Sequence, residues 1–201
     1  MAERSTELKV NYKAIVFDFD GVFRHFDPLR QTVLENKYQL APGSLYEAAF
    51  TRQDYLEVAK GELTKQDWIG RTGKLLGNNL AAKEFLEDQG TLDGSMVRLL
   101  EDIKQTGTSV ALLTNSTCTI HDELEMFGLL DSFDYLFTTN TIGMAKPNAD
   151  IFGYVCKQMS VSPGDVFFTD DLTENINGAR EVGFTAELFT SPEATRELLL
   201  K

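Results

Sequence analysis

The sequence predicts an α/β protein: a doubly wound parallel sheet with a helical insertion after its first strand. Three observations lead there. Short, nearly continuous apolar runs recur along the chain. After residue 92 they alternate with amphipathic helical patterns. One long stretch nearer the N-terminus has helical patterns and no strand. Apolar runs of this length suit strands buried on both faces, as in a parallel sheet, and strict β/α alternation is the signature of a doubly wound core.

The first strand is predicted over Ala14–Asp20, AIVFDFD, ending in two acids before Gly21. From Phe26 to Gly90 the patterns are helical: Leu29–Leu40, Ser44–Lys60, Thr64–Leu76 and Ala81–Asp88, separated by Pro42-Gly43, Gly61 and Gly77-Asn78-Asn79. That is far more chain than a simple crossover needs. Residues 10–25 and 91–201 are therefore expected to form the α/β core, and residues 26–90 a separate helical unit. Open sheets bind ligands beyond the carboxyl ends of their strands. A unit leaving the first strand there would sit over the site as a cap.

The remaining elements follow in turn. Met96–Lys104 places Met96, Leu99, Leu100 and Ile103 on one helical face, with Asp93 or Ser95 as N-cap and Gly107 as its stop. Strands follow at Thr108–Asn115, Tyr135–Thr139, Asp165–Asp171 and Thr185–Phe189. Helices follow at Ile120–Phe127, Ala149–Met159, Glu174–Val182 and Pro192–Leu200, with Pro147 near a helix start and Gly183 at a helix stop.

Composition narrows the function. The 201 residues include 31 acidic and 19 basic side chains, for a net charge of −12. That disfavours nucleic acid and anionic membranes, which need a basic footprint. No apolar run is long enough for a membrane span, and MAERSTELKVNYK has no apolar signal core. A cytoplasmic protein is expected, with Cys118 and Cys156 as reduced thiols and the Asn115-Ser116-Thr117 sequon as chance. Trp68, Phe50 and Tyr46 are expected in the core of the helical unit, and Arg24 and His25 as ordinary exposed residues, with a place at the cap entrance as the alternative.

Polar residues interrupt the apolar strands at four places: Asp18 and Asp20, Thr114-Asn115, Lys146 before Pro147, and Asp170-Asp171. Each alone is ordinary turn or cap chemistry. Together, at successive strand ends, they converge on one crevice. Two acids side by side repel; a cation between them, or a division into nucleophile and general acid, relieves that cost. Carboxylates, a hydroxyl, an amide and an ammonium describe a magnesium site facing a phosphoryl group.

DFDGV at Asp18–Val22, ALLTN at Ala111–Asn115, AKPNADIF at Ala145–Phe152 and FFTDDLTENINGAREVGF at Phe167–Phe184 resemble, in order and spacing, the four motifs of the haloacid dehalogenase superfamily. The resemblance covers roughly residues 10–25 and 92–190, and the helical insertion is similar to the cap many members carry after the first motif. It implies a magnesium-dependent phosphatase of a small phosphomonoester, a sugar phosphate or similar metabolite, acting through an aspartyl phosphate. Asp18 would be the nucleophile, and Asp20 the general acid and then base, its backbone carbonyl also reaching the metal. Thr114 and Asn115 would bind phosphoryl oxygens, and Lys146 would steady Asp18 and the phosphoryl charge. Asp170 and Asp171 would complete the metal site, with Asp171 favoured as direct ligand and Asn175 supporting the loop.

Val22-Phe23-Arg24-His25 departs from the Thr-Leu that many members have after Asp-Gly, which blurs the subgroup. Halide-removing members lack the second aspartate of the first motif, so Asp20 argues against that branch. A sugar-phosphate phosphomutase and a catalytically silent binding module stay open as alternatives. A receiver-like signalling domain has its motifs in another order.

Overall fold

The computed structural model describes residues 10–59, 62–116 and 119–200; the expectations for Lys60, Thr117 and Cys118 fall outside them. The chain runs β1 (Ala14–Phe17), β2 (Arg24–His25), α1 (Arg30–Tyr38), α2 (Ser44–Ala49), α3 (Arg52–Ala59), α4 (Lys65–Leu76), α5 (Asn79–Leu86) and β3 (Thr91–Leu92). It continues through α6 (Gly94–Gln105), β4 (Ser109–Thr114), α7 (Ile120–Met126), β5 (Tyr135–Thr138), α8 (Thr139–Ile142) and α9 (Ala149–Met159). It closes with β6 (Val166–Asp170), α10 (Thr173–Val182), β7 (Thr185–Leu188) and α11 (Pro192–Leu199).

Five strands form one sheet in the order β5-β4-β1-β6-β7, every pair parallel. The chain winds outward from β1 in both directions, which is the doubly wound arrangement the alternation predicts. Alternation along β1 covers both faces. Ile15 and Phe17 pack with Met96, Leu99, Leu100 and Ile103 of α6 and with Leu124 of α7. Ala14 and Val16 pack on the other face with Ile151, Phe152 and Val155 of α9 and Ala179 of α10. Each large side chain removed from water in this way contributes about 1.5–3 kcal/mol before chain entropy is charged against it.

The helices α1–α5 leave the core through β2 and return through β3. These two short strands pair antiparallel, Arg24 with Leu92 and His25 with Thr91. Among the described residues no strand lies between them. This helical unit has apolar clusters of its own. One gathers Trp68, Val58, Leu63, Ile69 and Leu86, and the Trp68 indole N–H donates to the Ala49 carbonyl at 2.7 Å.

Several boundaries differ from expectation, each for a local reason. β1 stops at Phe17, because the Phe19 carbonyl collects the N–H groups of Val22, Phe23 and Arg24 at 3.3, 2.8 and 3.0 Å. That turn, with Gly21 at φ 82°, takes Asp20 out of the sheet. Ser44–Lys60 is two helices, since Phe50 ends α2 and the Thr51 hydroxyl accepts from the Asp54 N–H at 3.4 Å to start α3. Asn79 belongs to α5, because the Asn78 side chain caps it. Pro147 precedes the N-cap of α9, which is Asn148. Asp93 caps α6, accepting from Ser95 and Met96.

Candidate active site

The strands β1, β4 and β6 end side by side: Phe17 of β1 pairs in register with Leu112 of β4 and Thr169 of β6. Each strand then delivers a polar side chain to the same edge. Asp18 follows β1 and stays tied to β6, its N–H donating to the Thr169 carbonyl at 3.1 Å. Thr114 ends β4 and Asp170 ends β6, both buried.

Lys146 closes the arrangement. Its ammonium lies 2.8 Å from Asp18 Oδ1 and 2.5 Å from Asp170 Oδ2, with the Phe168 ring 5.7 Å away. The Lys146–Pro147 peptide is cis. Asn115 holds this loop from both sides: its amide donates to the Lys146 carbonyl and accepts from the Lys146 N–H, each at 2.9 Å. Gly178 of α10 completes the grip, since a side chain there would overlap the Pro147 carbonyl.

Asp170 is held by several donors. Besides Lys146 it accepts from the Asn175 amide at 2.9 and 3.0 Å and from the Leu172 N–H at 2.9 Å. Asn175 thus supports the loop through Asp170 itself. Asp171 is exposed and lies over Gly21, where any side chain would overlap its carboxylate. Asp18, Asp170 and Asp171 each offer one oxygen within 4.8 Å of the others.

One ammonium serves these three carboxylates, and the electrostatics follow. Burial, opposed by Lys146 and reinforced by Asp170 and Asp20, pushes the Asp18 carboxyl up to about 8. Burial and then Asp170 also raise Asp171. Burial works against the charge on Lys146, but Asp18 and Asp170 outweigh it and hold the ammonium above its ordinary value. Three hard oxygen donors with a shortage of positive charge fit a divalent cation such as magnesium.

Asp20 stands apart from this cluster. Arg24 takes both of its oxygens, Nε to Oδ1 at 2.5 Å and Nη2 to Oδ2 at 3.1 Å. The same guanidinium donates to Glu123 at 2.7 Å and lies over the Phe19 and Phe26 rings at 4.8 and 5.0 Å. Arg24 is therefore buried and bound to Asp20, where an exposed residue was expected. His25 turns away, toward Asp93 and the Phe189 ring.

Between the strand ends and helices α2–α5 lies a cavity of about 510 Å³, with Asp20, Asn115 and Ser116 on the sheet side. Three of its residues escape sequence reasoning. The Ser116 hydroxyl is buried without a protein partner; its place directly after Thr114-Asn115 was the available signal. Tyr55 of α3 reaches over the site. Burial raises its phenol, Lys146 and a hydrogen bond with Asn115 oppose the rise, and Asp18 adds to it. Glu123 joins α7 to Arg24, and its sequence context reads only as a helix start. Of the aromatics expected in the helical core, Trp68 is buried, whereas Tyr46 is exposed at the cavity wall.

The comparisons with known proteins agree with this geometry. Residues 12–183 match the haloacid dehalogenase-like hydrolase family. A sesquiterpene phosphatase of Aspergillus oryzae is 28% identical over 189 residues, spanning 92% of this chain and 93% of that one. A D-ribitol-5-phosphate phosphatase of Bacteroides thetaiotaomicron is 29% identical over 189 residues, spanning 86% and 89%. Among solved structures, a haloacid dehalogenase family enzyme of the same bacterium, in complex with magnesium and inorganic phosphate, superposes with a TM-score of 0.73 at 21% identity over 89% of this chain and 94% of that one. A dehalogenase superposes almost as well, with a TM-score of 0.72 at 18% identity over 96% and 100%. The structural likeness fixes the fold and leaves the branch to the residues. Motifs, sheet order and site together place this chain in one family: it belongs to the haloacid dehalogenase-like hydrolases.

Proposed function

We propose that the chain is a magnesium-dependent phosphatase that hydrolyses a small phosphomonoester through an aspartyl phosphate on Asp18. The observation that carries this reading is the setting of Asp18. It is a buried carboxylate at a strand end, braced by Lys146 at 2.8 Å, sharing an acidic cluster with Asp170 and Asp171. The two named phosphatases among its relatives support the same branch. So does Asp20, which the halide-removing branch lacks.

Asp18, Asp170 and Asp171 would hold the magnesium, with Asp171 the more available direct ligand because Asp170 is occupied by Lys146 and Asn175. When bound, the ion supplies positive charge that favours ionised carboxylates and stabilises phosphoryl oxygens. In the first step an Asp18 oxygen attacks phosphorus. The ester P–O bond breaks and its electrons pass to the leaving oxygen, which takes a proton from Asp20. Asp20 must release one oxygen from Arg24 to do so. In the second step Asp20 takes a proton from water as the water oxygen attacks phosphorus. The bond from Asp18 to phosphorus then breaks, restoring the carboxylate and freeing inorganic phosphate.

Lys146 stabilises the phosphoryl charge throughout. The Thr114 hydroxyl and the unpartnered Ser116 hydroxyl would donate to phosphoryl oxygens. Asn115 serves chiefly by fixing the Lys146 loop. The helical unit, residues 26–90, acts as the cap that excludes water during attack.

The test is hydrolysis of p-nitrophenyl phosphate by the purified full chain. Phosphate release with magnesium, abolished by a chelator and restored by added magnesium, is expected. Turnover that survives complete metal removal would sink the metal-dependent reading.

A further inference from the structure

The cavity beside the strand ends has a wall rich in aromatic rings. Phe26, Tyr46, Phe50, Tyr55, Trp68 and Phe85 all line it. Phe50 is the hub: its ring lies 4.6 Å from Tyr46, 5.9 Å from Tyr55, 5.6 Å from Trp68 and 6.4 Å from Phe85. The five rings joined at Phe50 line the same cavity as Asp20 and Asn115 and reach the exposed Tyr46, while Phe26 lies apart under the Arg24 guanidinium.

The wall carries four acids, Asp20, Asp27, Asp88 and Glu123, against three bases, each of which faces one of the acids. Arg24 is taken by Asp20 and Glu123. Arg30 faces Asp88 at 2.6 Å and donates to the Glu84 carbonyl. Lys65 faces Glu123 at 3.6 Å. Each of these three cations already faces a carboxylate of the protein. Neutral polar groups gather at the phosphate end, where the Ser116 hydroxyl is unpartnered and Tyr55 meets Asn115. Farther out the Gln31 amide donates to Glu35 at 2.9 Å. A polyol laid along the Phe50 rings would bury hydroxyls against apolar surface, which is unfavourable.

We infer that the substrate is the monophosphate of an apolar, uncharged alcohol, its hydrocarbon lying along the Phe50 wall and its phosphate at Asp18. This inference rests on the phosphatase reading and names the substrate class of that site. It parts from the sugar phosphate that the family resemblance suggests. A cavity of about 510 Å³ is within the usual size for binding a whole small molecule. A hydrocarbon tail leaves no polar group unpaired and buries apolar surface against the rings.

The chain's single tryptophan lies in that wall, so its fluorescence reports occupancy directly. The full chain with magnesium would be titrated with geranylphosphonate, n-decylphosphonate and the phosphonate analogue of glucose 6-phosphate. Both hydrocarbon phosphonates should bind about tenfold or more tighter than the sugar analogue, and geranyl diphosphate should bind about tenfold more weakly than geranyl monophosphate. Comparing the branched with the linear chain tells an isoprenoid from an alkyl substrate. Equal or tighter binding of the sugar analogue overturns the inference, as does equal binding of the diphosphate.

The exposed Tyr46 provides a variant that spares the fold. Tyr46→Glu should cut the preference for hydrocarbon over sugar about fivefold; an unchanged preference removes this wall from selectivity. The two readings fail separately. If p-nitrophenyl phosphate is not hydrolysed while the fluorescence titrations rank as stated, the phosphatase reading falls and the ligand class stands.

Discussion

At the carboxyl ends of β1, β4 and β6, position is enforced by charge. Lys146 bridges Asp18 and Asp170, Asn175 and Leu172 hold Asp170, and Arg24 grips Asp20. Across the cavity, position is enforced by packing. Phe50, Trp68 and Phe85 rest ring against ring, and the Trp68 indole is anchored on Ala49. The two regions therefore respond differently to change. A charge-fixed cluster loses its geometry when one partner goes, because the others are left buried and unpaired. A packed wall accepts one apolar side chain for another at small cost. On the proposed reading, reaction and substrate choice can thus vary independently, although Asp20 and Asn115 of the strand ends share a cavity with the rings.

The sharpest way to separate the two regions is Asp18→Asn. It removes the nucleophile and leaves the rings in place. Turnover of p-nitrophenyl phosphate should fall about 10⁴-fold or more, while the fluorescence response of Trp68 to n-decylphosphonate persists. The melting temperature should change little, since the amide oxygen can still accept from Lys146 and Asp170 keeps that ammonium paired. Turnover within about tenfold of the parent would remove Asp18 from its role.

Arg24 is where the two regions join, so its loss should damage both. Burial works against its charge, but Asp20 and Glu123 outweigh that and hold the guanidinium above its ordinary value. Arg24→Ala leaves Glu123 with Thr119 at 2.7 Å and the more distant Lys65. It should cost about 2–4 kcal/mol, below the full penalty of a broken buried pair because Asp20 is partly open to water. Arg24→Lys keeps the charge without the two-pronged hold on Asp20. Thermal melts should therefore recover more in Arg24→Lys than kcat does. Equal recovery of both would mean that Arg24 holds the fold alone and does not position Asp20.

What the sequence made legible divides along the same line. The doubly wound α/β architecture and the four polar clusters were readable because strands with apolar runs end abruptly in polar residues, and topology brings those ends together. Asp18, Thr114, Lys146, Asp170 and Asp171 all arrive at one edge as expected. Asp20 was harder to place. Two residues on from Asp18 puts it on the same side only if the strand continues, and the turn on the Phe19 carbonyl ends it at Phe17. The aromatic wall was not legible at all. Phe50, Tyr55 and Phe85 lie on three stretches of chain whose relative placement is set by tertiary packing, and a ring on a helix reads as core whichever way it faces. Tyr55 had no local signal because its partner, Asn115, is 60 residues away.

The gentlest probe of the comparison is pH, which should act on the acidic edge and pass over the rings. Asp18 is pushed from 3.8 in the unfolded chain to about 8 in the folded protein. Between those values the folded state holds a proton that the unfolded state has lost. Its contribution to stability is therefore fully present below about 4 and is lost as pH rises through about 8. Asp171, also raised by burial, acts in the same direction. Glu123, lowered chiefly because Arg24 outweighs burial, acts oppositely and only near its own acidic range. In magnesium-free buffer the melting temperature should thus decline between about pH 6 and pH 8. Magnesium binds the ionised carboxylates and competes with that proton, so the rise in melting temperature it produces should be larger at about pH 8 than at about pH 6. The stabilisation given by n-decylphosphonate in Asp18→Asn, which depends on the wall, should change less over the same range. A magnesium effect that is equal at both pH values would uncouple the metal from Asp18 and leave Asp170 and Asp171 as its ligands.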